Sequence, residues 1–247
     1  MFCADEEGSS LRCIATIGLH SSASTWVFNV VRELMSYAFG AECVLAIYAE
    51  QRHEIPDVAA LGERHLILKS HHGSAGLDAW LDSICPTMIL SIRDPRDAAM
   101  SMAQRFGAPL ETAAQWLLND CRRLMVLGTR GHRLLRYEDR FFEDPLVLAQ
   151  LSAAFTPGIP AHAQSTLFER YNAESVRQFA SRLAWLPPER LLVSDRMMLD
   201  RLTQIHRDHV GDTRSGKWRG LPGSTRTKLT RLFEPFLQRF GYESTVP

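Results

Sequence analysis

The sequence has no apolar run approaching the ~18 residues that a membrane-spanning helix needs. It also has no net charge, because 28 Lys and Arg balance 28 Asp and Glu. The first absence argues against a membrane span. The second removes any global pull toward nucleic acid or an anionic surface, so an anion site must be assembled locally from a few cations and backbone amides. Five cysteines (Cys3, Cys13, Cys43, Cys85 and Cys121) are odd in number and lack metal-type pairing. They argue for reduced thiols and against a disulfide scaffold. Met1-Phe2-Cys3 runs into Asp5, Glu6 and Glu7, acidic where a signal peptide is basic. Internal repeats, low-complexity tracts and Gly/Ser/Pro-rich linkers are missing too. The expectation is one soluble, cytoplasmic domain over residues 1–247, with residues 1 to about 10 as a flexible N-terminus.

What is present is an alternation of short apolar runs with helical patterns, the signature of an α/β fold with a parallel sheet covered by helices. Strand candidates are Cys13 to Ile17, Val44 to Tyr48, His65 to Leu68, Met88 to Ile92 and Arg133 to Tyr137. They are short, mostly apolar and bounded by polar or breaker residues, as buried parallel strands are. Helix candidates begin at Trp26 and continue with Leu110 to Leu127, Leu146 to Phe155, Leu167 to Trp185 and Leu191 to His209. A last helix is expected to start at a Ser224 cap, be disturbed by Pro235 and stop at Gly241.

Three of the strand ends carry chemistry. After the first comes Gly18-Leu19-His20-Ser21-Ser22-Ala23-Ser24-Thr25-Trp26. Small residues between a strand and a helix let backbone N–H groups converge on an anion, with Ser22, Ser24 and Thr25 adding hydroxyls and Trp26 a face for a base. The plain alternative is a Ser-rich N-cap turn with a core Trp. There is no Gly-Lys-Ser/Thr ending, hence no obvious magnesium ligand. After the third strand, Lys69-Ser70-His71-His72 sets a cation and two imidazoles at the sheet edge where open α/β folds bind ligands; a solvated polar loop is the alternative. After the fourth, Arg93 precedes Asp94 as N-cap, Pro95 at the first helical turn, and Ser101 about two turns on. Arg96 and Asp97 can be surface ion pairs, and Asp94 only a cap.

Ser21 to Trp26 resembles the 5′-phosphosulfate loop of sulfotransferases that use 3′-phosphoadenosine 5′-phosphosulfate (PAPS), Pro-Lys/Arg-Ser-Gly-Thr-Thr-Trp. Lys69-Ser70-His71 is similar to their Lys-Thr-His segment, and Arg93-Asp94-Pro95-Arg96-Asp97 through Ser101 to their Arg-Asn-Pro-Arg-Asp…Ser block. Arg136-Tyr137-Glu138-Asp139 and Arg214-Ser215-Gly216-Lys217-Trp218-Arg219 resemble two further segments, in the family's order, and Gly241-Tyr242 its usual ending. The resemblance implies a central parallel sheet of about five strands in a P-loop-like fold. It implies PAPS as donor and PAP (3′,5′-adenosine bisphosphate) as product, with no metal. It makes His71 the general base, with His72 the alternative if the register shifts, and Lys69 the stabiliser of the leaving oxygen. Ser21, Ser22, Ala23, Ser24 and Thr25 would cradle the 5′-phosphosulfate. Arg93, Ser101, Arg214, Gly216 and Lys217 would hold the 3′-phosphate, and Trp26 and Tyr137 the adenine.

Two positions depart from the pattern. The loop cation falls on Ser21, a loss comparable with oxyanion donors worth ~3 to 4 kcal/mol, with Lys69, His20 and Lys217 as candidates to replace it. The loop Gly falls on Ala23, which leads to the expectation of a turn without positive φ there. His206 and His209 are expected on a solvated helix end, Asp195 and Asp200 at the surface or in caps, and Trp80, Trp116 and Trp185 in core or acceptor-pocket packing. The expected partner is a small-molecule or carbohydrate acceptor with a hydroxyl, less readily an amine. Its pocket is expected from Gly73 to Asp82, Phe106 to Trp116 and Pro157 to Trp185. No nucleic-acid partner is expected, and homodimerisation is open. The competing functions are a PAP- or PAPS-binding protein without turnover and a P-loop-related small-molecule kinase.

Overall fold

Five short apolar segments pair side by side in the computed structural model, which describes residues 13–57, 65–84, 86–194 and 197–245. They are β1 (Cys13–Gly18), β2 (Val44–Tyr48), β3 (His65–Ser70), β4 (Thr87–Ile92) and β5 (Arg133–Arg136), all parallel, in the order β2-β3-β1-β4-β5. Each expected strand is found. β3 runs two residues further than its apolar pattern suggests, and β5 stops one residue short, so that Tyr137 opens a 3-10 turn.

Successive side chains of a strand face opposite ways, and both faces of this sheet are covered. Ala15, Ile17, Leu66, Leu68, Leu90 and Ile92 pack against α4 (Leu110–Leu127) and α8 (Gly223–Phe240). Ile14, Ile67 and Ile89 pack on the other side, against Val27, Val30, Val31 and Leu34 of α1 (Ser24–Phe39) and Leu148 and Leu151 of α5 (Pro145–Phe155). The other helices are α2 (Ala75–Ile84), α3 (Pro95–Phe106), α6 (Ala161–Arg170) and α7 (Ala173–Ser181). No helix among the described residues is long and apolar enough to cross a membrane.

Three helical expectations are corrected. The stretch Leu167 to Trp185 is broken at Asn172, whose side chain accepts from the Ser175 N–H at 2.8 Å and caps a new helix. Leu191 to His209 is not a helix. It forms an antiparallel hairpin, β6 (Leu191–Ser194) and β7 (Met197–Asp200), followed by a turn. Asp200, fully buried, ends that hairpin: it pairs with Arg190 at 2.6 Å and accepts from the N–H and hydroxyl of Thr203 at 3.2 and 2.6 Å. It is a turn-maker inside the protein, not a surface residue. α8 starts at Gly223 after Pro222, one residue before Ser224, with no side-chain cap; it carries Pro235 within it and stops at Gly241 as expected. Cys3, Cys85, Asp195 and the expected flexible N-terminus lie outside the described residues.

Asp94 caps α3 by accepting from the Arg96 N–H, with Pro95 in the first turn. Arg96 and Asp97, however, are not surface ions; both are fully buried. Arg96 holds Asp94 at 2.7 Å, donates to Thr230 at 3.0 Å and lies 3.5 Å from the Trp218 ring. Asp97 accepts from the N–H groups of Gly216 and Trp218 at 2.5 and 2.9 Å. This acid–base pair of neighbours docks the C-terminal segment onto α3. Arg96→Ala leaves a buried carboxylate without its cation, and is expected to lower stability by about 3–5 kcal/mol in chemical denaturation. Arg96→Lys is not expected to rescue it, lacking the planar fork that meets Asp94 and Trp218 together.

Candidate functional site

The sheet order places β1 between β3 and β4. Its C-terminal loop is therefore flanked by Lys69 to His71 on one side and Arg93 on the other, at the edge where such sheets bind ligands. The loop is tight. A Cβ on Gly18 would lie 2.2 Å from Ser91 Oγ and 2.6 Å from Ser24 Cβ, so glycine is required by close approach. Ser21 and Ala23 both adopt left-handed backbone, with φ of 64° and 62°. That corrects the expectation for Ala23: the turn keeps its positive φ although the residue is not glycine. Ser22 is also corrected as a hydroxyl donor. It is fully buried, its Oγ pairs with Ser91 Oγ at 2.9 Å and its N–H goes to Leu19 O at 3.1 Å. What remains for a ligand are the amides opening α1, at Ser24 and Thr25, because Ala23 provides no side-chain cap.

On the β4 side, Arg93 is 3% exposed. It donates to Ser21 O at 3.0 Å, Ser101 Oγ at 3.3 Å and Arg214 O at 2.8 Å, and lies 4.0 Å from the Tyr137 ring. Among the described residues no carboxylate forms an ion pair with it, and its Nε has no partner. Lys217 Nζ reaches the same Ser101 Oγ at 3.3 Å and Asp212 at 3.2 Å. Arg214 does not join this cluster with its side chain, which is 75% exposed and paired to Asp212; only its carbonyl does. Gly216, at φ 76°, gives its N–H to Asp97 and so anchors the segment.

On the β3 side, the imidazole of His71 is buried and His72 is exposed. The Gly18 carbonyl, 2.5 Å from His71 Nδ1, can only accept, which makes Nδ1 the protonated nitrogen and leaves Nε2 with a lone pair. Burial, with the charges of His20 and Lys69 adding to it, holds His71 well below the usual imidazole range. It is neutral at pH 7. Lys69, at the end of β3 and 5.3 Å from the Tyr48 ring, is pushed down to about 8, chiefly by burial and further by Arg105. Glu50 organises this turn, accepting from Tyr48 OH at 2.5 Å, Ser70 Oγ at 2.9 Å, and the N–H groups of His71 and Gly73 at 2.8 and 2.6 Å. Burial raises its pKa, but these bonds together outweigh that and hold it below the ordinary value. From α4, Arg123 donates to Ser70 Oγ and His71 O at 2.6 and 3.1 Å. Asp120, also on α4 and fully buried, binds His20 twice, at Nδ1 (2.6 Å) and at its backbone N–H (3.1 Å). The His20 ring stacks on that of His71, centroids 3.8 Å apart.

These groups open on one cavity of about 890 Å³ that also reaches Ser24, Thr25, Trp26, Ser101 and Tyr137. Its far wall comes largely from residues 191–209: Leu192, Met197 and Leu199 of the hairpin, then Ile205, His206 and His209. α1 fastens that wall, through Asn29 to Thr203 O at 2.8 Å and Arg32 to Leu202 O at 2.6 Å. His206 and His209 therefore face a cavity, not solvent at a helix end. Burial pushes His206 down to about 3, with Arg105 and Lys69 adding to the shift. Of the stretches expected to shape a pocket, Phe106, Tyr171, Ala173 and Val176 contribute, and Gly73 to Asp82 does not. Trp80 packs against the core, but Trp116 and Trp185 are exposed, Trp185 by 83%. Sequence patterns missed Glu50, Asp120 and Arg105, each a single charged residue with no local signature.

No protein-family model matches the chain, and no curated protein matches its sequence. Solved structures do match in fold. Retinol dehydratase in complex with androsterone and the inactive cofactor PAP is 14% identical, with a TM-score of 0.60 over 92% of this chain and 82% of that one. Retinol dehydratase in a complex with retinol and PAP is 13% identical at a TM-score of 0.55, over the same shares of the two chains. Mouse sulfotransferase SULT7A1 complexed with PAP is 11% identical, with a TM-score of 0.61 over 92% and 85%. The chain has the sulfotransferase fold, the fold that its five-stranded parallel sheet and flanking helices lead to.

The left-handed Ala23 carries a measurable cost, since a Cβ in this region is disfavoured by about 1–2 kcal/mol. Ala23→Gly is expected to raise stability by about 1 kcal/mol, a Tm gain of about 2–4 °C for a domain of this size. A loss of stability in thermal unfolding would contradict the positive φ.

Proposed function

We propose that this chain is a sulfotransferase that moves the sulfonyl group of PAPS to the hydroxyl of a small acceptor. The observation that carries this reading is Arg93, a buried cation that has only neutral oxygens as partners and lies beside the uncapped start of α1. An anion is what such a site lacks. Ser21 Oγ, Trp26 Nε1 and Arg93 Nε are buried without partners around the same loop, as polar groups are when a ligand completes them. Arg93, Ser101 and Lys217 would hold the 3′-phosphate, the amides of Ser24 and Thr25 the 5′-phosphosulfate, and Trp26 and Tyr137 the adenine.

PAPS supplies, when bound, a sulfonyl group activated by a phosphate leaving group. His71 then serves as the base. Its neutral Nε2 takes the acceptor's proton while the acceptor oxygen bonds to sulfur; the sulfur–oxygen bond to the 5′-phosphate breaks and leaves its electron pair on that phosphate oxygen. The Gly18 carbonyl keeps the ring in the tautomer that makes Nε2 the acceptor. Lys69, still largely protonated at neutral pH, steadies the developing charge. Glu50 and Arg123 position His71 through its backbone. The acceptor would lie against Phe106, Tyr171, Val176 and the β6–β7 hairpin. Androsterone and retinol in the similar structures favour a small molecule of that kind, and a carbohydrate hydroxyl remains a second acceptor class.

Radiolabelled PAPS offered with phenols, aliphatic alcohols, amines and simple sugars tests this directly. Label is expected on a hydroxyl acceptor, with turnover lowered by about 10²–10⁴ in His71→Ala and PAP binding retained. Transfer at the wild-type rate in His71→Ala would sink the base assignment.

A further inference from the structure

His20 and His71 are two imidazoles stacked at 3.8 Å, with rings 24° from parallel, and both line the cavity. Their Nδ1 atoms are held by chemically different groups. His71 gives its Nδ1 proton to a neutral carbonyl, that of Gly18, whereas His20 Nδ1 meets the buried carboxylate of Asp120 at 2.6 Å. A carboxylate stabilises an imidazolium; a carbonyl in a buried site does so far less. Two stacked rings this close do not both carry charge. We propose that His20 is a second catalytic residue: as the protonated member of the pair, it donates Nε2–H to the 5′-phosphate oxygen of the nucleotide, with Asp120 as its positioning residue. The loop has no Lys or Arg between Gly18 and Trp26, so His20 is the one group within it able to carry positive charge.

This rests on the sulfotransferase reading and deepens it. The two rings divide the work, His71 Nε2 accepting the proton of the attacking hydroxyl and His20 Nε2 steadying the phosphate that leaves. His20, His71 and Asp120 also bring three ligand-type atoms within 4.8 Å of one another. Both Nδ1 atoms are already hydrogen-bonded, that of His71 to the Gly18 carbonyl and that of His20 to Asp120, so the cluster as it stands holds protons. The groups that meet His20 are His71 and His72, which follow β3, and Asp120 from α4; Tyr48, Glu50 and Arg123 meet the His71 member of the pair. Asp120 is the carboxylate in direct contact, and its Oδ1 is buried without a partner.

The test is calorimetric binding of PAP and of adenosine 3′-phosphate, which lacks the 5′-phosphate, between pH 5.5 and 8.5. The ratio of wild-type to His20→Gln affinity cancels the ligand's own titration. For PAP that ratio is expected to reach about tenfold, the worth of one charge-assisted hydrogen bond. For adenosine 3′-phosphate it is expected to stay at one. Asp120→Asn should lower PAP affinity while leaving that for adenosine 3′-phosphate unchanged, a ligand-selective effect that a merely structural role would not produce. His20 is partly exposed, so His20→Gln carries the test alone should Asp120→Asn fail to fold. Equal PAP affinity in wild type and His20→Gln at every pH would overturn the proposal while leaving the sulfotransferase reading intact. A wild-type protein that binds neither nucleotide would overturn both.

Discussion

The guanidinium of Arg93 is where four separate parts of the chain meet. It follows β4, reaches the loop after β1 at Ser21, touches Ser101 two turns along α3, and holds the Arg214 carbonyl of the C-terminal segment. The Tyr137 ring after β5 lies against it. Every one of these partners is neutral. A cation taken out of water with only carbonyls, a hydroxyl and a ring around it is incompletely compensated, and the rest of the site is arranged around that deficit. The uncapped amides of α1 point to the same shortage of negative charge.

The carboxylates that might have neutralised the site are used for construction. Asp94 is taken up by Arg96, and Asp97 by two backbone amides of the C-terminal segment. Glu50 binds the turn that carries His71, Asp120 binds His20, and Asp200 closes the hairpin that walls the cavity. These acids build the frame; Asp208 and Asp212 do line the cavity, but Lys69, Arg93, Arg105, Arg207 and Lys217 outnumber them there. Net neutrality of the whole chain therefore conceals a local excess of positive charge.

How much of this is legible in the sequence follows from the range of the interactions. Buried parallel strands are continuous apolar runs, so all five can be read directly, and their ends carry Lys69, His71 and Arg93 at recognisable spacing. The resemblance of ordered segments to PAPS-dependent sulfotransferases leads to the fold that the solved structures share. Leu191 to His209 misleads because its apolar residues also suit a helical face; only the pairing of β6 with β7 and the buried Asp200 decide otherwise. Asp120 acts on a residue 100 positions away and Glu50 on one 21 away, distances at which no local pattern exists. Ala23 misleads in another way, since a tight turn closed by Gly18, Ser22 and Ser91 imposes a positive φ that its Cβ disfavours. Arg214 sits in a recognisable segment, yet its side chain pairs with Asp212 outside the cluster that its own carbonyl completes.

In the proposed function Arg93, Ser101 and Lys217 cradle a 3′-phosphate. Calorimetric titration of the wild-type protein with PAP and with adenosine 5′-phosphate, identical except for that group, isolates it. Charge-assisted hydrogen bonds of about 1.5–3 kcal/mol each predict PAP binding at least about 100-fold tighter. Equal affinities for the two nucleotides would contradict the account.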